Sequence, residues 1–192
     1  MSVLLASALL MGLGLSIAVL GSAETTLAGH DRETRTLSYA SRAAVALAVS
    51  DLRALPSWAD VGNPGALPEV SATPGRFVDA SLTPPAPWGG SLDLRALTAR
   101  VQAESGASNG AGSGPIWRLF VFGPLGRLVP ESVRANPCYL VVWVADDGGI
   151  LLARGAAFGA GETRAVTEIS VVGRSGPEGP DPVRIIAVRP GL

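Results

Sequence analysis

The sequence predicts an α+β fold, a long N-terminal helix packed on a mainly antiparallel β-sheet head. Three observations carry this. Residues 2–23 are uncharged and largely apolar, and the first ionisable side chain is Glu24. From Glu24 to Leu55 there is no proline and only one glycine, Gly29, while apolar residues recur at helical steps. From residue 115 onward, five β-branched or aromatic runs alternate with turn signals.

Composition narrows the function classes. The chain has 192 residues, a formal net charge of -1, one Cys, one His and fifteen basic residues, all of them Arg. Its length fits one domain with an appendage. Near-neutral charge gives no electrostatic footprint for nucleic acid, so none is expected as a partner. One Cys excludes an internal disulfide, and one His excludes multi-histidine metal sites. Charged residues make up only 16% of the chain, and the apolar excess sits at the start.

That first run is long enough in helix to span a bilayer core of about 30 Å. Gly12, Gly14 and Gly21 would weaken a helix in water but are common in membrane spans. Gly21-Ser22-Ala23 has the small-x-small look of a signal-peptidase site, so a secreted β-rich binding domain released after Ala23 is the rival. No Arg precedes the apolar run as a basic n-region, which favours a retained helix. Next, Leu37, Ala40, Ala44, Leu47, Ala48, Leu52 and Leu55 form an amphipathic stripe, avoided by Glu33, Arg35, Arg42 and Asp51. Pro56 ends the helix, because it lacks an N–H and disfavours helical geometry at Leu55. Residues 3–55 would thus make one helix of roughly 80 Å. The expected division is 1–55, transmembrane and stem helix, and 56–192, globular head.

Within the head, 56–75 and 83–90 are rich in Pro and Gly and read as loops. A short strand is expected at 76–82. A short helix is expected at 92–104, capped by Ser91 or Asp93, with Leu94, Leu97 and Val101 on one face. Residues 106–114, GASNGAGSG, read as an exposed flexible loop. Strands are expected at 116–122, 137–146, 149–158, 163–174 and 183–189, giving a sheet over about 115–190. The Asp147-Gly148-Gly149 link predicts a hairpin, and 175–182 reads as a loop. YLVVWVA is apolar on both faces, as a strand covered on both sides must be. In the next-to-last strand Ala165, Thr167, Ile169 and Val171 share one face. The stripe at 37–55 can cover the sheet.

These features resemble the type IV pilin family. In particular, AGHDRETRTLSYASRAAVALAVSDL (28–52) is similar to the end of the N-terminal domain of PilX-like minor pilins. Ala28-Gly29-His30 matches an Ala-Gly-Asn-like step, and Arg32 and Arg35 match an Arg-rich juxtamembrane stretch. Ser41-Arg42-Ala43-Ala44 stands where that family has an acidic Ala-rich run. PIWRLFVFGPL (115–125) and PCYLVVWVADD (137–147) look like head segments of the same group. Two features depart from the pattern. No basic leader ending in Gly is visible, and Leu5 stands at the fifth position where major pilins carry Glu, which argues against a major more than a minor pilin. Cutting at Gly12-Leu13 or Gly14-Leu15 would leave too short a span.

The resemblance implies a structural subunit of type IV pilus assembly, held in the inner membrane with its head outside the cytoplasm and later packed in a filament. Other pilins would be its partners and prepilin peptidase its processing enzyme; the alternative machine is a type II secretion system, with the chain as a pseudopilin. Gly12, Gly14, Gly21 and Glu24 are the candidate stem-packing residues. The glycines would permit close helix approach, and Glu24 would pair with an Arg or a free N-terminus of a neighbouring stem. No catalytic, cofactor or metal site is expected. His30 stands on a rod surface beside Asp31, and Cys138 begins an apolar strand. Asp146 and Asp147 supply too few oxygens for calcium. Trp143 is expected in the core, with Trp58 and Trp88 either folded back or serving as surface anchors.

Overall fold

The computed structural model describes residues 2–58, 60–109, 114–128, 137–160, 163–172, 175–176, 179–180 and 184–190. Helix α1 runs over Ser2–Ala54, and Leu55 keeps only a tightened turn, its N–H donating to the Leu52 carbonyl. It stops beside Pro56, as the sequence requires. The chain divides into two compact units, Met1–Thr36 and Leu37–Leu192. The last eighteen residues of α1 therefore belong to the same compact unit as the head, although composition changes only at residue 56.

Five strands form one antiparallel sheet in the order β1-β2-β3-β4-β7: β1 Arg118–Pro124, β2 Tyr139–Asp147, β3 Ile150–Phe158, β4 Arg164–Val172 and β7 Arg184–Pro190. Each of the five expected runs yields one of these strands. The β2–β3 hairpin closes on Gly148 and Gly149 at φ 62° and 91°. Two consecutive positive φ angles are what a two-residue turn matching strand twist needs. The Gly149 N–H also donates to Asp146 Oδ1 at 2.8 Å. The segment 175–182 is not simply a loop: Ser175–Gly176 (β5) pairs with Gly179–Pro180 (β6) in a separate two-stranded ribbon.

The sheet is covered on both faces. On one side the second half of α1 buries Leu37, Ala40, Ala44, Val45, Ala48, Val49 and Leu52 against Leu140, Val142 and Val144 of β2, Ala153 and Ala157 of β3 and Ile169 of β4. On the other side Leu94 and Val101 of a second helix, α2 (Leu94–Asn109), pack with Leu119, Phe122, Tyr139, Val141, Trp143 and Phe158. Residues 139–145 are buried throughout, so β2 has the doubly covered environment its unbroken apolar sequence predicts.

Four expectations need correction. The helix expected at 92–104 is α2, longer at its C-terminal end; Asp93, not Ser91, caps it, its Oδ1 accepting the N–H groups of Arg95 and Ala96 at 3.0 Å. Residues 106–109 of the expected flexible loop belong to α2, because one Gly lowers helix propensity without ending a helix that is packed; residues 110–113 lie outside the described residues. The strand expected at 76–82 is only a single parallel bridge, Val78 to Phe122. There Asp79 and Ser81 satisfy neighbouring backbone, accepting from Ala80 at 2.8 Å and Thr83 at 3.0 Å, and such local bonds compete with a ladder. The segment still protects the β1 edge. Ser71, Gly75 and Asp79 donate to Leu119, Phe120 and Phe122 in turn, and Leu119 and Phe122 donate back to Glu69 and Phe77.

The fourth correction is Asp51. Set off the apolar stripe by sequence, it is nevertheless only 4% exposed. Its carboxylate accepts the Arg76 backbone N–H at 2.8 Å and the Arg76 Nε–H, which meets the requirement that a buried charge be paired and hydrogen-bonded. Ser41, also fully buried, lies 2.8 Å from Thr167 of β4. Ser41 donates its one proton to the Ser38 carbonyl at 3.0 Å, so Thr167 is the donor between the two hydroxyls.

Helix α1 lies close over Gly155 of β3. A Cβ there would meet Val45 Cγ2 at 2.4 Å and the Ser41 carbonyl oxygen at 2.9 Å. Gly155→Ala is expected to lower unfolding stability by about 1–3 kcal/mol through overpacking. Adding Val45→Ala should restore part of the loss, because the Ser41 backbone oxygen stays in place. Denaturant midpoints of the parent, both single variants and the double variant, followed by tryptophan fluorescence, check this; an unchanged midpoint in G155A would show that the helix does not sit this close.

Candidate functional site: the exposed apolar helix and an arginine-lined cavity

The chemistry-bearing residues singled out from the sequence are not brought together. His30 is exposed on α1, and beside it Asp31 pairs with Arg35 at 2.8 Å, four residues on. Cys138 is buried, and burial pushes its thiol up to about 11, which leaves little thiolate at neutral pH. No group of three or more His, Cys, Asp or Glu able to hold a metal occurs among the described residues. Trp58 folds back, its indole N–H donating to the Leu52 carbonyl at 2.9 Å at the end of α1. Trp88 is partly buried against the α2-side core. Trp143 is core, its indole N–H donating to Thr98 at 2.9 Å.

What distinguishes the first unit is exposed apolar surface. Leu10, Met11, Leu13, Leu15, Ile17, Val19, Leu20 and Leu27 are each between 58% and 81% exposed. They point around the whole helix rather than along one stripe, so no single packing partner could cover them. The α1 segment is long and apolar enough to cross a membrane. Gly12, Gly14 and Gly21 lie within it, and a Cβ at any of them would meet nothing within 4 Å. Glu24 is exposed just beyond the uncharged run. Helical polar groups here are satisfied locally, as in Ser16 to the Gly12 carbonyl at 2.9 Å and Thr25 to the Gly21 carbonyl at 2.8 Å. In hydrocarbon a hydroxyl needs such a partner.

The head carries a second feature that sequence reading missed. A cavity of about 10 Å³ is lined by Leu97, Arg100, Val101, Glu104, Trp143, Arg154, Ala156, Phe158, Arg164 and Val166. Arg154 Nη2 donates to Glu104 Oε2 at 2.6 Å, and Arg100 Nε donates to Glu104 Oε1 at 3.1 Å. The Arg154 side chain is only 10% exposed. It sits in a strand on the face that otherwise carries aromatic and aliphatic side chains, and Glu104 from α2 reaches down to it. Nothing local in the sequence links residues 104 and 154; only the fold makes them neighbours.

Partial burial works to raise the Glu104 pKa, but hydrogen bonds and charge from Arg154, with Arg100 and Arg164 adding to them, hold it below 4.5. No family model, curated protein or solved structure matches the chain.

A carboxylate whose folded pKa is depressed stabilises the fold above its unfolded pKa and loses that contribution as pH falls through the folded value. Glu104→Gln should therefore lower stability at neutral pH and flatten the acid limb of the stability profile below about pH 4.5, starting from the unperturbed value. Unfolding midpoints of the parent and E104Q between neutral and acid pH check this; parallel profiles would show that the pair contributes nothing.

Proposed function

We propose that this chain is a structural, minor-pilin-like subunit of the PilX-like kind that serves type IV pilus assembly. Residues 2–23 anchor it in the inner membrane, with the head outside the cytoplasm, and later pack among the helices of other pilins in a filament. The observation that carries this reading is a single helix with two opposite surfaces. Over Leu10–Leu27 its large apolar side chains are exposed, whereas from Leu37 onward its apolar side chains are buried in the head. An apolar surface of that extent is stable in a bilayer or among other apolar helices. Gly12, Gly14 and Gly21 would let such helices approach closely, and Glu24 would find a basic partner at the bundle edge. The sequence similarity at 28–52 and in the head segments supports the pilin assignment over other membrane-anchored proteins.

The first test is fractionation of native cells, with mass and N-terminal sequence of the recovered protein. Expected is a detergent-extracted membrane protein that retains the apolar segment. A chain beginning at Glu24 would overturn the anchor and leave a secreted domain. Leu13→Arg places a charge near the middle of the span, at a cost to insertion of about 2.5–3.5 kcal/mol. It is expected to deplete the membrane fraction and to fail to restore surface filaments in cells lacking the protein, where the parent chain restores them. Filament number unaffected by removal of the protein would overturn the pilus role.

A further inference from the structure

We propose that the arginine-lined cavity between α2, β3 and β4 is a docking site for an acidic side chain presented by a partner protein. Three guanidinium groups, Arg100, Arg154 and Arg164, line it against one carboxylate, Glu104. Arg100 and Glu104 stand four residues apart on α2 and share its face, while Arg154 comes from mid-β3 and Arg164 from the start of β4. Glu168 is directly opposite Arg154 across β3 and β4, but it forms no ion pair with it and does not line the cavity. The lining therefore carries an excess of two positive charges.

Arg164 is exposed at this site and its guanidinium makes no ion pair among the described residues. Arg100 is held by Glu104 on one side only, with its side chain 62% exposed. These two are the donors open to an incoming group. Trp143, Phe158, Ala156 and Val101 form apolar walls, and a low-polarity wall strengthens a charge-assisted hydrogen bond made beside it.

The space of about 10 Å³ holds roughly one water, so an incoming anion is met at the mouth of the cavity rather than inside it. The guanidinium fork matches a planar carboxylate with two parallel hydrogen bonds, and Glu104 shows that a carboxylate is accommodated here, one oxygen accepting from Arg154 and the other from Arg100. An Asp or Glu side chain from a partner would take the same geometry on the outer faces of Arg100 and Arg164.

The test uses the full chain in detergent micelles, with the arginine Nε–H resonances followed by NMR during titration. The probe is acetyl-Gly-Glu-Gly-Glu-Gly-amide. Its glutamine counterpart is the neutral control and inorganic phosphate the competing anion. Expected are saturable shifts at Arg100 and Arg164 with the acidic peptide, at least ten-fold weaker in the doubly substituted Arg100→Gln/Arg164→Gln chain. The variant gives up one exposed ion pair, of small energetic weight, and its thermal midpoint, measured alongside and expected close to the parent's, separates loss of binding from loss of folding. No saturable shift, equal binding of the neutral peptide, equal binding by the variant, or phosphate binding as tightly as the peptide would each overturn the proposal.

Discussion

The head depends on how closely α1 can lie on β3. The residues that β3 turns toward the helix are Leu151, Ala153, Gly155 and Ala157, and the last three are small. The neighbouring strands present larger groups on that face, Leu140, Val142 and Val144 from β2 and Ile169 from β4. The sheet thus has a shallow furrow along β3 between two apolar ridges. The helix answers with its own small residues, Ala40, Ser41, Ala44 and Ala48, and with Val45 over Gly155. Backbone-to-backbone approach of this kind gains dispersion contacts along the whole furrow. It also leaves little room for error, since interiors near crystal density feel a single added methyl group. The buried Ser41–Thr167 bond, at the same level as Gly155, then fixes helix and sheet in one register by a directional contact.

The opposite face of the sheet follows the reverse logic. There β2 and β3 carry Tyr139, Trp143 and Phe158, and β1 adds Leu119 and Phe122, so bulky side chains fill the space under α2 and the Pro-rich segments. β3 offers small residues toward α1, while the aromatic side chains of β2 and β3 turn toward α2, so a single sheet serves two different layers. Arg154 is the exception on that second face. Its burial is compensated by Glu104, which α2 presents to it at 2.6 Å. Removing Glu104 would leave a buried, unpaired guanidinium, which is the costly way to break such a pair.

Much of this order was legible from local pattern. The helical stripe at 37–55, the proline stop, the five strand runs and the Gly-Gly hairpin each rest on periodicity or backbone freedom within a short window, and the structure has all of them. What was not legible depends on residues far apart in sequence. The burial of Asp51 was not legible because its partner, Arg76, lies in a segment with no regular structure of its own. The bond of Ser41 depends on Thr167, 126 residues away, being placed beside it. The strand expected at 76–82 had the right composition, but Asp79 and Ser81 gave its backbone nearer partners. The arginine-lined cavity needed α2, β3 and β4 assembled before its charges could be counted.

The candidate stem residues were named from the sequence alone, and their meaning turns on an asymmetry within α1. Every apolar position that the head core takes from this helix lies between Leu37 and Leu55. Eighteen residues of helix, Leu37 to Ala54, therefore supply what the head takes from α1. The described large apolar residues of the uncharged run before Glu24, Leu10 to Leu20, are exposed, yet that run is the more apolar of the two segments. Folding of the head cannot account for it, because exposing Leu, Ile and Met around a full helical circumference is unfavourable in water whatever the head does. Nor do Gly12, Gly14 and Gly21 serve helix stability, each costing about 1 kcal/mol relative to Ala in an aqueous helix. Both features are penalties in water and cease to be so in hydrocarbon or among closely packed helices. A helix of this length and apolarity suits a bilayer or a bundle of apolar helices, and that is the physical ground for proposing an anchor.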